Sequence, residues 1–220
     1  MYLSSVLFIL FGYLMGSIPT AYLAGRAMKG IDLRQYGSGT VSGSMVWEHV
    51  EHWVIIPVGL FDVAKAAFPT WLAVVSGLGP RTVILTGLSA VVGHNWPIFL
   101  RFTGGRGLSP MLGMLLVLFP PGVIWLLVFL AIGRLYEPPL LALLGLSTIP
   151  LLSQWTGGPD YIPAVALAML ILTLTKRLEA NRRPLPERGA DRRQVLLRRL
   201  FLDRDIANHL EWIRRTPNQF

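Results

Sequence analysis

Apolar residues run along this chain in blocks, at residues 2–23, 53–78, 83–100, 108–118, 123–132, 140–154 and 162–174, with glycine, proline and arginine collected between them. Such runs predict helices, and several fall short of the roughly 20 residues that a spanning helix prefers. Pro120-Pro121 interrupts the stretch from 108 to 132, because neither proline nitrogen can donate a helical hydrogen bond. The break is either a turn between two short helices or a kink in one long helix. As a turn, it puts Arg26, Lys29, Arg34, Arg101, Arg106, Arg134 and the basic C-terminal segment on one side, opposed only by Arg81. The positive-inside rule then places the N-terminus outside and the C-terminus in the cytoplasm. As a kink, it leaves six spans and that partition of charge fails. The first block lacks the basic start and small-residue cleavage site of a secretory signal, and is read as a retained helix.

Composition makes the bilayer the solvent: 53% of residues are hydrophobic and only 15% charged, with a mean hydropathy of +0.53. The expected fold is therefore all-α, a polytopic integral membrane bundle of about seven short transmembrane helices. With no cysteine, the chain has no disulfide framework, no cysteine zinc site and no thiol nucleophile. Net charge is +8, and the residues from 176 to 220 carry +6 of it, twelve Lys/Arg against six Asp/Glu. A basic segment directly after an apolar run suits anionic lipid headgroups rather than nucleic acid. Residues 1–182 are thus read as the transmembrane domain and 183–220 as a basic cytoplasmic tail. Within the tail, Val195, Leu202, Ile206, Leu210 and Ile213 have a spacing compatible with one face of an interfacial amphipathic helix.

Polar, backbone-exposing sequence between membrane-length apolar runs is costly unless it binds something. Gly37, Ser38, Gly39, Ser42, Gly43 and Ser44 offer small side chains and accessible amides, as does the turn Thr103-Gly104-Gly105-Arg106-Gly107 that leads into the next apolar run. Two such loops on the same side could cradle a phosphate, with Arg106 supplying fixed charge and forked donors. His94 has an ordinary pKa of about 6.5, which suits a general base; an interhelical hydrogen bond ahead of Pro97 is the alternative. Asp62 and Lys65, three residues apart, can meet on one helix face, and a structural pair is preferred to a proton relay. His49 and His52 lie one helical turn apart without an obvious third ligand, so a solvated loop is preferred to a metal site. A GxSxG elbow, a Walker lysine and a His-x4-Asp arrangement are all missing.

Taken together, GSIPTAYL, IDLRQYGSG, Asp62 with Lys65, and GHNWPIFLRF followed by GGRG resemble the bacterial acyl-phosphate-dependent glycerol-3-phosphate acyltransferases, over about residues 1–113. The resemblance implies seven transmembrane helices, an outside N-terminus and a cytoplasm-facing site in the bacterial inner membrane. It also implies acyl transfer from acyl phosphate to glycerol 3-phosphate, giving lysophosphatidic acid for phospholipid synthesis, with no metal or other cofactor. The residues expected to bind substrate phosphate are Arg34, Gly37, Ser38, Gly39, Gly104, Gly105, Arg106 and Gly107, with His94 and Arg106 as the catalytic pair. Acyl phosphate, glycerol 3-phosphate and membrane lipid are the expected partners, and nucleic acid is not.

The chain also departs from the family pattern. Where the family's first loop reads GSGN-x-GATN-x-x-R, Glu48 stands in place of the arginine; KGGKG is Thr103-Gly104-Gly105-Arg106-Gly107; and a serine-bearing stretch appears as Arg134-Leu135-Tyr136-Glu137-Pro138. The family's HxxNIxRL is read at residues 171–178, with Leu174 and Thr175 replacing its Asn-Ile pair. These departures motivate a second reading, a catalytically impaired paralogue that binds a phosphorylated lipid or membrane partner without acyl transfer. A small transporter is the third and weakest, since no inverted repeat is visible.

Overall fold

The computed structural model describes residues 2–187 and 189–217. Its α-helices, in chain order, are α1 (Tyr2–Gly16), α2 (Thr20–Lys29), α3 (Gly43–His49), α4 (Ile55–Val75), α5 (Pro80–Asn95), α6 (Leu108–Leu118), α7 (Pro120–Gly133), α8 (Pro138–Thr156), α9 (Ile162–Glu179), α10 (Ala190–Leu202) and α11 (His209–Ile213). There are no strands among the described residues. Each predicted apolar block after the first is a helix, and α5, α7, α8 and α9 each carry proline at their first or second position, where its missing N–H costs nothing.

The first block is shorter than its apolar run. α1 stops at Gly16, where the Ser17 amide and hydroxyl both turn back onto the Tyr13 carbonyl, and Pro19 separates it from α2. At Pro120-Pro121 the structure forms a turn. Phe119 leaves the helical region with φ −160° and ψ 76°. Its ring lies against Gly158 between α8 and α9, whereas the other ends of α6 and α7 meet the segments that surround Gly104 and Glu137.

α1, α4 to α9 form the bundle. α1 packs on α5 so closely that a Cβ at Gly16 or Gly93 would strike the backbone of the facing helix. Small residues that let backbones approach are the usual means of joining helices in lipid, where burial of apolar area gives little drive. Polar side chains add to this: Ser89 Oγ donates to the Ile9 carbonyl at 2.8 Å and Trp125 Nε1 to Thr148 Oγ1 at 2.9 Å. The centre is filled by Met111, Met114, Leu115, Leu126, Leu146, Ile149 and Met169, while Leu3, Leu60, Ile124 and Leu151 face outward. Four helical stretches, Tyr2–Lys29, His52–Val75, Pro80–Leu100 and Pro138–Thr156, are long and apolar enough to cross a membrane, and α6 and α7 are shorter apolar helices.

One end of the bundle gathers residues 17–54, 96–107, 134–137 and the chain after 179. There α2, α3 and their connections enclose a second, smaller core of Leu33, Val41, Met45, Val46, Val54 and Leu100. The C-terminal segment folds back over this end. The single face predicted for 195–213 is divided between α10 and α11 at Asp203, which takes a left-handed φ of 55°. Val195, Leu202, Ile206 and Ile213 are half-buried and Leu210 is exposed.

Candidate active site

A buried polar knot lies where α2, α4 and α5 meet below the loop end. Asp62 accepts from Thr20 Oγ1 at 2.5 Å and pairs with Lys65 Nζ at 2.8 Å. Lys65 also donates to the Ile18 carbonyl at 3.0 Å, so the i,i+3 pair ties α4 to the Gly16–Thr20 turn. His94 Nδ1 stands 3.7 Å from the same Asp62 oxygen. The pair therefore reaches further than a helix-to-helix tether, because its carboxylate faces the one buried imidazole of the bundle. Nε2, on the opposite side of that ring, lies against Gly105, where any Cβ would overlap the imidazole. Glycine at 105 is what lets the second loop lie on His94.

The two glycine loops come together. The Val41 amide donates to the Gly104 carbonyl at 3.2 Å, and Asn181 Nδ2 donates to the carbonyls of Gly39 at 2.8 Å and Gly104 at 3.1 Å. Asn181 Oδ1 accepts from Lys176 Nζ at 2.5 Å, and that ammonium also pairs with Glu179 at 2.9 Å and lies 5.1 Å from the Trp96 ring centre. Sequence reasoning missed both Asn181 and Lys176. It placed the lost Asn-Ile pair at Leu174 and Thr175, inside α9, whereas the amide that joins the loops stands just past the helix end.

Several amides of these loops already have acceptors. Gly37 N donates to the Arg215 carbonyl at 2.9 Å, Gly39 N to Tyr36 at 2.8 Å and Gly105 N to His94 at 3.1 Å. Ser38 opens a chain of hydroxyls that runs to Thr40 at 2.6 Å, Ser42 at 3.0 Å and Ser44 at 3.0 Å. Gly107, with φ 81°, starts α6, whose first amides have no acceptor within the helix. The Asn95 side chain is in contact distance of a Cβ built at Gly107, is fully buried, and leaves both Oδ1 and Nδ2 without a partner.

Arg106 is mostly buried. Its Nε lies 3.0 Å from Asp203 Oδ1, and its Nη1 donates to the Lys176 carbonyl at 3.3 Å. Arg34 lies apart from the loop junction: its guanidinium grips Asp32 at 2.9 and 2.6 Å and lies 5.2 Å from the Tyr22 ring centre. That hydrogen-bonded pairing holds the Asp32 carboxyl below its ordinary pKa, against the opposing effect of burial. Between the Gly16–Thr20 turn, Lys65, His94 and Gly104-Gly105 there is a cavity of about 10 Å³, room for about one water.

The match to known proteins follows this geometry. Residues 6–185 match the sequence profile of the glycerol-3-phosphate acyltransferase family. The chain belongs to that family. It is 36% identical to glycerol-3-phosphate acyltransferase 5 of Dehalococcoides mccartyi over 211 residues, covering 93% of this chain and 90% of the relative. It is 39% identical to the glycerol-3-phosphate acyltransferase of Synechococcus sp. (strain CC9902) over 176 residues, covering 79% and 88%. Among solved structures it is similar to the glycerol 3-phosphate form of PlsY (YgiH), an integral membrane glycerol 3-phosphate acyltransferase, with TM-score 0.73, 28% identity, and coverage of 82% of this chain and 91% of that one.

This acyltransferase-family chain carries a docked segment beyond the profile's last matched residue, 185. The histidines of its first loop are engaged locally: His49 Nε2 is 2.7 Å from the Ile213 carbonyl, and His52 stacks on Trp47 at 4.1 Å between ring centres. Glu48 pairs with Arg214 at 2.8 Å, and Glu137 holds Arg204 through two contacts of 3.0 and 2.8 Å.

Proposed function

We infer that this protein transfers an acyl group from acyl phosphate to glycerol 3-phosphate, giving lysophosphatidic acid and inorganic phosphate. The observation that carries the reading is the meeting, at one end of an apolar bundle, of a buried Asp62–His94 pair with two glycine loops and a fixed guanidinium. An activated acyl donor needs no redox or metal chemistry, only placement of two phosphates and help in moving one proton. In this reading the hydroxyl of glycerol 3-phosphate attacks the acyl carbonyl carbon and the bond to phosphate breaks. His94 Nε2 takes the hydroxyl proton, and Asp62 at Nδ1 offsets the charge that the ring then carries. Arg106 and the N-terminal amides of α6 supply the anion site, with the unpartnered Asn95 amide as a further donor. Gly37, Ser38, Gly39, Gly104, Gly105 and Gly107 shape it, and Arg34 braces the first loop through Asp32.

The loop end, with Arg26, Lys29, Arg101, Arg106 and Arg134, faces the cytoplasm in this proposal, so the N-terminus lies outside a bacterial inner membrane crossed seven times. The test is an assay of the purified, folded protein in lipid nanodiscs with acyl phosphate and glycerol 3-phosphate. Turnover to lysophosphatidic acid is expected, falling roughly 10²- to 10⁴-fold in His94→Asn. Binding of both substrates without product, across several acyl chain lengths, would establish the non-catalytic reading instead.

A further inference from the structure

The segment after residue 185 reaches both glycine loops and uses up groups that an anion would need. Asp203 places a carboxylate oxygen 3.0 Å from Arg106 Nε and 4.0 Å from Arg177 Nε, a charge pairing in which that oxygen accepts no hydrogen bond. At the other loop, the backbone carbonyl of Arg215 takes the Gly37 amide at 2.9 Å and that of Ile213 faces His49 Nε2 at 2.7 Å. Carboxylate, phosphate and peptide oxygens are interchangeable in kind at such donors. Asp203 is held in left-handed backbone conformation, with φ 55°, a region that aspartate visits but that disfavours non-glycine residues.

The two halves of the segment are fastened unequally. Near α10, Arg199 is buried against Asp205 and the carbonyls of Leu178, Arg183 and Pro184, and Arg204 grips Glu137. Arg204 and Asp205 belong to this anchored part; within residues 209–217 the ion pair is Arg214 with Glu48, and its arginine side chain is 65% exposed. Exposed pairs of this kind hold weakly and are screened by salt. The part through Asp205 is thus an anchor, and residues 209–217 are a strap held by the exposed Arg214, by the Ile213 and Arg215 carbonyls and by buried Trp212.

We propose that this segment is an internal competitor for the substrate phosphate: Asp203 occupies Arg106, the 209–217 strap occupies the first loop, and glycerol 3-phosphate binds by displacing both. The inference rests on the reading above that Arg106 receives phosphate. Its chemistry is ligand exchange alone, one oxygen anion replacing another on a guanidinium, with no covalent step.

The test uses the full chain. In Asp203→Asn the competitor loses its charge, and KM for glycerol 3-phosphate is expected to fall roughly fivefold with kcat unchanged or raised, where each tenfold corresponds to about 1.4 kcal/mol. Independently, because the chain has no cysteine, Leu210→Cys carries a single spin label on exposed α11. The label should gain mobility on adding glycerol 3-phosphate or inorganic phosphate, and not with sodium chloride at equal ionic strength. A folded Asp203→Asn protein with unchanged or raised KM overturns the proposal. So does a label that stays immobile at saturating glycerol 3-phosphate, a readout that stands even where Asp203→Asn fails to fold. Failure of the underlying reading is seen separately: Arg106→Ala, placed in the Asp203→Asn background, would then leave KM for glycerol 3-phosphate unmoved.

Discussion

Asn181 offers the sharpest test of how the site is held together. Its amide donates to both glycine loops, through Gly39 and Gly104, and its oxygen caps the buried Lys176 ammonium. Asn181→Ala removes two neutral hydrogen bonds, each worth about 0.5–1.5 kcal/mol net, and one charge-assisted bond of about 1.5–3 kcal/mol. Two mostly enclosed carbonyls and an ammonium lose a partner at once, while the apolar bundle below is untouched. The loss is therefore expected to appear as misplacement of the loops. We expect kcat/KM for glycerol 3-phosphate to fall roughly a hundredfold, close to 2.7 kcal/mol of transition-state stabilisation, with a much smaller change in melting temperature. Asn181→Asp keeps the contact to Lys176 but sets a carboxylate against two carbonyls, so it should be no better than the alanine variant. Steady-state kinetics in nanodiscs, alongside thermal melting, decides the matter. Near wild-type kcat/KM in a folded Asn181→Ala protein would show that the loops hold their places without this bridge.

Lys65→Met strands the buried Asp62 carboxylate with Thr20 and His94, and should cost about 3–5 kcal/mol; the double variant Asp62→Asn/Lys65→Met should recover much of the melting temperature while remaining inactive. Gly105→Ala drives a methyl group into the His94 ring, and is expected to lower kcat by at least about tenfold and to weaken glycerol 3-phosphate binding, read by calorimetry, as the loop is pushed off the ring. For Asp32, the folded-state pKa is depressed by Arg34, so the stabilisation is present above the unfolded value of about 3.9 and is lost as pH falls through the lower folded value. The melting-temperature gap between wild type and Asp32→Asn should therefore shrink as pH is lowered from 7 toward 3, and a gap that stays constant would refute the assignment.

The bundle was legible because apolar run length and proline position act locally. The double proline specified a turn once Phe119 could be seen packing on Gly158 at the far end. The first block misled by its last residues: Leu23 is apolar, but Pro19 had already ended the helix. His94, Asp62 and Lys65 were visible as polar residues in apolar runs, though their spacing alone could not say that one carboxylate serves both other groups. Asn181 was not legible, since an asparagine after a helix is ordinarily a cap. Only the meeting of residues separated by 142 and 77 positions along the chain gives it another task.

The acidic departures in the loops acquire a reason from the same contacts. Glu48 alone would repel a phosphate, by about 1 kcal/mol or more when partly buried, but it is paired with Arg214. Glu137, in the stretch without serine, is the seat of Arg204. Both partners belong to the segment beyond the family profile. The D. mccartyi relative is aligned over 93% of the chain, so that alignment runs past residue 185. The acids in the loops and the bases in the C-terminal segment thus balance one another's charge. Removing the segment as a whole would leave Glu48 and Glu137 without these partners, and so would change the charge of the loop end as well as the competition for phosphate. Only point variants on the strap side, with the loop acids neutralised in parallel, separate competition for phosphate from the charge balance that the segment maintains.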